Sequence, residues 1–224
     1  MNTTLSKSYL LLAVLIASVP AYAESLVSAG EDHTCVLDSD GEASCWGDNS
    51  VGQLGNGSTK SSMRPVSVSG NLRFKSISAG WDHTCGVTDD GNAYCWGRGR
   101  YGRLGNGSTE NSMVPTEVSG GLSFQSVDSG MAHTCGLTTD GDAFCWGRGE
   151  DGILGRNSVE SSSVPVPVSG GLTFGSINAE SATTCGIATN GNAYCWGASD
   201  FGALLGQGDK DRNRKLAPGL VAGE

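Results

Sequence analysis

Apolar and polar residues alternate along the chain in short segments, which glycine-rich turns separate. Representative segments are FKSISAG (74–80), HTCGV (83–87), AYCWG (93–97) and PVSVSG (65–70). Such alternation predicts half-buried β-strands, and the Gly, Asn-Gly, Asp-Gly and Pro residues between them predict tight turns. The apolar residues do not recur with the 3.6-residue period of a helix. The pattern therefore predicts an all-β fold.

These segments recur with a period of 50 residues. The period is marked by Cys35, Cys85, Cys135 and Cys185 and by Trp46, Trp96, Trp146 and Trp196. Four strands in about 50 residues, repeated without a linker, are typical of β-propeller blades; the coils of a β-solenoid, which is the alternative, are usually shorter. We expect a propeller of four four-stranded blades in one domain, residues 24–224, with repeats at about 28–77, 78–127, 128–177 and 178–224.

The two ends of the chain complement each other in this frame. The last repeat ends with KLAPGLVAGE (215–224) and lacks the segment that follows in the other repeats, such as LRFKSIS (72–78). The segment ESLVSAG (24–30) matches the end of that missing strand. Because an added strand would pair an open sheet edge, we expect the N-terminal strand to complete the last blade and close the ring.

Residues 1–23 have the three parts of a secretory signal peptide. Lys7 supplies a positive charge, an apolar run follows from Leu10 to Val19, and Ala21-Tyr22-Ala23 forms a small-residue cleavage site. The apolar run is too short for a transmembrane helix, which needs about 20 residues. We expect cleavage after Ala23, no membrane span, and a secreted or periplasmic protein.

The mature chain is acidic. Removal of Lys7 leaves 13 Lys and Arg residues against 23 Asp and Glu residues. A protein with this balance lacks the cations that would replace counterions on a phosphate backbone. We therefore expect no nucleic-acid partner.

Each repeat contains two cysteines that flank a predicted hairpin. The turn DSDG (38–41) fits a type I turn followed by a left-handed glycine. This register places Cys35 opposite Cys45 at a non-hydrogen-bonded pair, which is close enough for a disulfide. We expect four such bridges, Cys35–Cys45, Cys85–Cys95, Cys135–Cys145 and Cys185–Cys195. A zinc site would need closer thiol spacing, such as C-x₂-C, and two further ligands, so we expect no metal.

The same register pairs residues that change together between repeats. The pairs are Val36/Ser44, Gly86/Tyr94, Gly136/Phe144 and Gly186/Tyr194. Wherever the second strand has an aromatic residue, its partner is glycine. We expect the aromatic ring to lie over the glycine backbone.

The histidines occupy a single repeat position. They are His33, His83 and His133, and the fourth repeat has Thr183 there. A catalytic base is usually one residue with its own partner, so we expect a structural role between neighbouring strands or blades, and packing roles for the four tryptophans. No catalytic constellation or cofactor motif is recognisable, and we expect the protein not to be an enzyme.

The segment SAGWDHTCGVTDDGNAYCWGRGRYGRLGNGS (78–108) resembles the repeat of the regulator of chromosome condensation (RCC1) family. The shared elements are G-x-x-H-T, a glycine hairpin, an aromatic residue before W-G, and G-x-L-G-x-G. Kelch repeats have a similar length, but Asn71 interrupts their double glycine in the first repeat. The resemblance implies a β-propeller, usually of seven blades. With four repeats, a closed ring, an open arc and a homodimer that completes a larger ring are all open.

The resemblance also implies functions for the family. Its founding member catalyses nucleotide exchange on a small nuclear GTPase and binds chromatin, and an acidic secreted chain would meet neither. By family name alone, a guanine-nucleotide exchange factor-like regulator remains an alternative. A secreted RCC1-like propeller that inhibits β-lactamase suggests another alternative, a secreted enzyme inhibitor.

Function is expected where the repeats differ. The two most variable stretches precede the histidine position and follow W-G, and both are predicted loops at blade ends. Their interface-favoured residues are Trp81, Arg98, Arg100, Tyr101, Arg103, Arg148 and Phe201. We expect a non-catalytic module that binds an extracytoplasmic protein through these loops. The alternatives are neutral variation, a structural envelope component, and a hydrolase or lyase with acids at the propeller mouth.

Overall fold

The computed structural model describes residues 26–198, 205–207 and 214–222. Within these residues the chain forms four antiparallel sheets of four strands each. The predicted signal peptide, residues 1–23, lies outside the described residues. The all-β prediction and the number of blades are confirmed.

The strands of each sheet follow one another in chain order. The first sheet consists of β1 (Leu26–Ala29), β2 (His33–Leu37), β3 (Ala43–Gly47) and β4 (Ser62–Ser67). The second consists of β5 (Phe74–Ala79), β6 (His83–Thr88), β7 (Ala93–Gly97) and β8 (Ser112–Glu117). The third consists of β9 (Phe124–Ser129), β10 (His133–Thr138), β11 (Ala143–Gly147) and β12 (Ser162–Pro167). The fourth consists of β13 (Phe174–Ala179), β14 (Thr183–Ala188), β15 (Ala193–Gly197) and β16 (Lys215–Leu220).

The N-terminal strand does not complete the last blade, and that prediction is wrong. β1 pairs with β2 in the first sheet, with Leu26 opposite Leu37 and Ala29 opposite Thr34. The fourth sheet begins with its own first strand, β13. The physical reason is the short connection between β1 and β2, closed by a 2.8 Å hydrogen bond from Gly30 N to His33 O, which favours an antiparallel hairpin of neighbouring strands.

The apolar core lies between the blades. In the second blade, the disulfide-bearing face includes Val87 and Ala93 and packs against Phe124, Val127 and Trp146 of the third blade. The junctions before and after it are built in the same way, around Trp96 and Trp196. Trp96, Trp146 and Trp196 therefore each pack their own blade against the preceding one.

Among the described residues, the four blades form an arc, and no other blade covers its two end faces. All six residues of β6 and of β10 are buried, because a blade packs on each side of these strands. In the fourth blade Ile187 is 46% exposed, whereas its counterpart Val87 is fully buried. In the first blade Val27 is 65% exposed, whereas its counterpart Val127 is 6% exposed.

Candidate functional site

The hairpin that carries the two cysteines has the predicted register. Cys35 lies opposite Cys45 with a Cα–Cα distance of 4.1 Å, and the other three hairpins have the same pairing and distance. At the turn, Gly41 has a φ of 77° and donates from its N–H to Asp38 O over 3.1 Å. The four disulfides Cys35–Cys45, Cys85–Cys95, Cys135–Cys145 and Cys185–Cys195 are formed. Each disulfide therefore joins two neighbouring strands within one blade.

The ring that lies over each paired glycine comes from a different strand than expected. Gly86 is paired with Tyr94, but a Cβ on Gly86 would meet the ring of Phe74 at 2.6 Å. Phe124 and Phe174 lie in the same way over Gly136 and Gly186. The glycine makes room for the first strand of the blade, so the expectation that the paired aromatic residue covers it is wrong.

Each of the three histidines joins its blade to the next. His33 Nε2 is 2.8 Å from Thr84 Oγ1, and Thr84 Oγ1 donates to the carbonyl oxygen of Gln53 over 2.9 Å. The same carbonyl oxygen accepts a 3.0 Å hydrogen bond from the indole N–H of Trp96. Because the threonine hydroxyl donates its proton to the carbonyl oxygen, the histidine must donate from Nε2 to the threonine oxygen. The equivalent contacts are His83–Thr134 and His133–Thr184, with the carbonyl groups of Arg103 and Ile153.

Burial holds these imidazoles in the neutral form. Desolvation lowers the pKa of His33 to about 4 and that of His133 to about 3, and it places the pKa of His83 well below its ordinary value. The Nδ1 atoms of all three are buried without a hydrogen-bond partner. A base that is buried and already bonded through Nε2 suits blade packing rather than proton transfer, as the sequence predicted.

The two variable stretches of each blade meet on one face of the protein. The N–H of Arg98 donates to Asp82 O over 2.9 Å, and Asp48 N–H donates to Asp32 O over 2.7 Å. The third and fourth blades have the same link at Arg148 and Ala198. We call this surface the loop face; it is formed by residues 30–32, 80–82, 130–132 and 180–182 together with 48–53, 98–103 and 148–153. The residues that differ between repeats are therefore gathered at one end of the strands.

A cavity of about 340 Å³ opens at this face where the first strands of the four sheets end. We call it the central cavity. Its walls are Ala29, Gly30, Glu31, Ala79, Gly80, Trp81, Ser129, Gly130, Met131, Ala179, Glu180 and Ser181. Trp81 is 41% exposed at its rim. Each blade contributes the same three positions, so the main chain repeats around the cavity while the side chains do not.

Three of the predicted arginines are accessible on the loop face. Arg98 forms a 2.9 Å ion pair with Asp82. The guanidinium of Arg100 lies 4.6 Å from the ring centre of Tyr101, which has a left-handed φ of 66°. Arg148 Nη2 lies 2.5 Å from a carboxylate oxygen of Glu150. These residues and Trp81 form a surface of aromatic and charged groups.

Arg103 has a different role from the one predicted. The residue is 3% exposed. Its guanidinium donates hydrogen bonds to Met131 O over 2.8 Å and to Arg100 O over 3.1 Å. Burial lowers the pKa of its guanidinium to about 10. Arg103 therefore supports the loop face from within, and its burial leaves little surface for contact with a partner. Phe201 lies outside the described residues.

The sequence does not by itself indicate that the cavity wall includes Glu31, Ser129, Met131 and Glu180. A signal was available at residue 180, because Gly30, Gly80 and Gly130 occupy that position in the other repeats. In those repeats a Cβ would collide with a carbonyl oxygen of the following blade. The change to Glu180 coincides with the change from histidine to Thr183, so the fourth blade lacks both residues of the repeated junction.

The described residues contain no group of three or more His, Cys, Asp or Glu side chains placed to hold a metal ion. In the same part of the chain, no helix has the length and apolar character to cross a membrane.

Several solved structures share this fold. The structure of Kap60 bound to yeast RCC1 (Prp20) matches with a TM-score of 0.78 and 23% identity, over 88% of this chain and 48% of that chain. Human WBSCR16 matches with a TM-score of 0.78 and 23% identity, over 90% of this chain and 54% of that one. The ectodomain of the receptor kinase CR4 from Physcomitrella patens matches with a TM-score of 0.53 and 27% identity, over 80% of this chain and 42% of that one. The chain thus spans about half the length of these proteins.

Sequence comparison gives the family. No curated protein sequence matches the chain significantly. Two family models of the regulator of chromosome condensation (RCC1) repeat match the chain. One matches residues 25–53, 74–103 and 124–153, and the other matches residues 40–87, 90–137 and 140–180. The second covers more than half of the chain and runs through consecutive blades. The repeat length, the blade structure and these matches agree, and the chain belongs to the RCC1 repeat family.

Proposed function

We propose that the protein is a non-catalytic module that binds another protein through its loop face. The observation that carries this proposal is the convergence of both variable stretches of each described blade on that face. The strand residues recur in each repeat because they build the scaffold, whereas the loop residues can vary because packing of the blades does not require them to be the same. Loops on a rigid scaffold are the usual place for recognition.

The composition of the loop face supports protein recognition. Trp81, Arg100 and Tyr101 are residue types that dominate binding energy at protein interfaces. In addition, Trp81 is 41% exposed, a large apolar surface for a residue of this kind. Yeast RCC1 has a similar fold, and its structure has been solved with the protein Kap60 bound to it. The neutral, blade-joining histidines give the enzyme alternative no support.

The partner is proposed to be an extracytoplasmic protein. The four disulfides suit an oxidising compartment, where such bonds form and persist. The predicted signal peptide points to the same location. A secreted enzyme inhibitor is one form that this function could take, and in that form the inhibited enzyme is the partner.

A second copy of this chain is a less favoured partner for the two end faces. In the three described junctions, a glycine and a histidine of one blade meet the next blade. The fourth blade has Glu180 and Thr183 at these positions. A homodimer that completes a larger ring would therefore need a junction of different chemistry. Native mass spectrometry of the purified protein distinguishes a monomer from such a dimer.

The experiment for the proposed function is affinity capture from the extracellular fraction of the producing cells. The wild-type chain is compared with the double variant Trp81→Ala/Tyr101→Ala. We expect partner recovery to fall about tenfold or more, as for the loss of two interface anchors. The control is Met63→Ala/Val164→Ala, which removes exposed apolar side chains from the outer strands β4 and β12. Equal recovery by all three chains would contradict the proposal.

A further inference from the structure

We propose that the central cavity receives a basic side chain, a lysine or an arginine, of the protein partner. This inference rests on the proposed function and specifies the chemistry of the partner. Three features of the cavity support it, namely the charges around it, its aromatic rim and an unsatisfied hydroxyl beneath its wall.

The cavity has an excess of uncompensated negative charge. Glu31 and Glu180 line it and are exposed, and Asp32 is exposed beside Glu31. None of these three carboxylates forms an ion pair within the part of the chain that the structure describes. They come from the first and the last blade, so they approach the cavity from opposite ends of the arc.

The arginines of the loop face form their described contacts elsewhere, and Arg100 lies over the ring of Tyr101. Arg98 is paired with Asp82, and Arg148 with Glu150. The guanidinium of Arg103 is buried against two carbonyl oxygens. Because these cations are engaged away from Glu31 and Glu180, the cavity favours a cation supplied from outside.

Trp81 gives the cavity an aromatic rim. Its counterparts in the other blades are Glu31, Met131 and Ser181. A tryptophan ring is the best aromatic partner for an ammonium or guanidinium group, and the interaction strengthens when the cation is partly desolvated. Met131 adds a flexible apolar wall that suits the methylene stem of a lysine or arginine.

Ser129 lines the cavity and has an unsatisfied hydroxyl beneath the wall. The residue is 7% exposed, it lines the cavity, and its Oγ is buried without a hydrogen-bond partner. The equivalent residues Ala29, Ala79 and Ala179 carry no hydroxyl. A buried hydroxyl without a partner is unfavourable, and an inserted cation that moved this wall slightly would supply an N–H donor to the Ser129 oxygen. The polar group occurs in only one blade, so scaffold requirements do not explain it.

The test uses single amino-acid derivatives as probes. N-acetyl-arginine amide and N-acetyl-lysine amide are titrated into the intact protein, and the indole N–H signal of Trp81 is followed by NMR. Trp81→Phe identifies that signal by its disappearance. N-acetyl-citrulline amide is the matched neutral probe, since it keeps the shape of arginine without its charge. We expect saturable shifts with a cationic probe, and binding about tenfold weaker for citrulline.

Three variants separate the cavity from general surface charge. Glu31→Gln and Glu180→Gln remove the uncompensated charges, and Ser129→Ala restores the residue type of the other blades. Each is expected to weaken cation binding by about threefold or more. Glu117→Gln, on the exposed outer strand β8, is the matched charge control and should leave binding unchanged. Higher salt should weaken binding of the wild-type protein.

The outcomes decide between the two proposals. Absence of any shift at Trp81, equal binding of arginine and citrulline derivatives, or an equal effect of Glu117→Gln would overturn the cavity proposal. Partner capture that depends on Tyr101 but not on Trp81, Glu31 or Glu180 would also overturn it, while leaving the proposed function intact. Specific binding of the cationic probes without capture of any partner would contradict the proposed function alone.

Discussion

The carbonyl oxygen of Glu180 lies against Gly130, 2.9 Å from the point that a Cβ atom on Gly130 would occupy. The ring of His133 lies on another side of the same point, with Cε1 at 2.7 Å. Gly80 has the same relationship to the carbonyl oxygen of Gly130, at 2.6 Å. Glycine at this repeat position is therefore a condition for packing the next blade.

The first prediction follows from that close approach. Gly80→Ala should destabilise the protein by about 1–3 kcal/mol, because the added methyl group forces the main chains of two blades apart. The measurement is chemical unfolding followed by tryptophan fluorescence. Glu180→Ala is the control, since the fourth blade has the exposed position without a described blade beyond it, and it should change stability by about 0.5 kcal/mol or less. Similar losses for the two variants would contradict this account.

The second prediction concerns pH. The pKa values of His33 and His133 are lowered by burial to about 4 and about 3, whereas the unfolded chain protonates histidine near 6.5. Between these values the unfolded state binds more protons, so stability is complete above pH 6.5 and falls as the pH drops toward 4 and 3. Each buried histidine contributes a slope of up to about 1.4 kcal/mol per pH unit. Unfolding free energies measured from pH 7 to pH 4 check this.

The control for the pH prediction is His133→Gln, which keeps a donor for Thr184 but does not titrate. Its unfolding free energy should depend less steeply on pH than that of the wild-type protein. An unchanged slope would show that His133 is not buried in the neutral form.

The third prediction concerns Asp128, which joins three blades. It accepts hydrogen bonds from Ser78 Oγ over 3.0 Å, from Asn178 Nδ2 over 3.0 Å and from Ala179 N over 2.6 Å. Asp128→Ala leaves these donors without an acceptor, and we expect a loss of about 2–4 kcal/mol of unfolding free energy. Burial raises the pKa of the Asp128 carboxyl group. Asp128→Asn keeps one acceptor and removes the partly buried charge, so it should destabilise less than Asp128→Ala. The reverse order would contradict the bonding described.

The fourth prediction concerns the disulfides. An oxidised chain should show a mass eight hydrogens below that of the reduced form, since four bridges are formed. Cys185 is partly exposed, whereas Cys35, Cys85 and Cys135 are fully buried. A phosphine reductant should therefore reduce Cys185–Cys195 first, as measured by alkylation of the released thiols and peptide mass mapping. Earlier reduction of Cys85–Cys95 would contradict the exposed end face.

The fifth prediction separates two arginines of the loop face. Arg103→Ala should destabilise the protein by about 1–3 kcal/mol, because it leaves the carbonyl oxygen of Met131 without its donor and opens a buried space. Arg98→Ala removes a half-exposed ion pair with Asp82 and should cost about 0–1 kcal/mol. Thermal unfolding of both variants tests the difference, and equal effects would argue against the buried position of Arg103.

Sequence reasoning reached the blades and the disulfide register because both depend on local, periodic information. The distance of ten residues between Cys35 and Cys45 and the glycine turn between them determine the hairpin. The position of β1 was not predicted correctly, because a repeat gives the length of its unit but not the strand at which each sheet begins. The short connection through Gly30 was the available clue.

The remaining errors depend on contacts between elements that are distant in sequence. The hairpin register predicts that Gly86 lies opposite Tyr94. It does not predict that the ring of Phe74 covers Gly86, because Phe74 belongs to the neighbouring strand β5. Arg103 belongs to a variable loop, and only the approach of the next blade shows that it is buried beneath Met131. The central cavity likewise arises from equivalent turns of four blades brought together.

The blade junctions have one further consequence, which concerns the carbonyl groups of Gln53, Arg103 and Ile153. Each accepts one hydrogen bond from a threonine and one from a tryptophan of the next blade. These bonds use the main chain, so they form equally with three very dissimilar side chains at this position, although the Arg103 side chain adds a contact of its own to the next blade. Loop residues can therefore change without loss of these junction bonds, and the same property makes this chain a scaffold into which new recognition loops can be grafted.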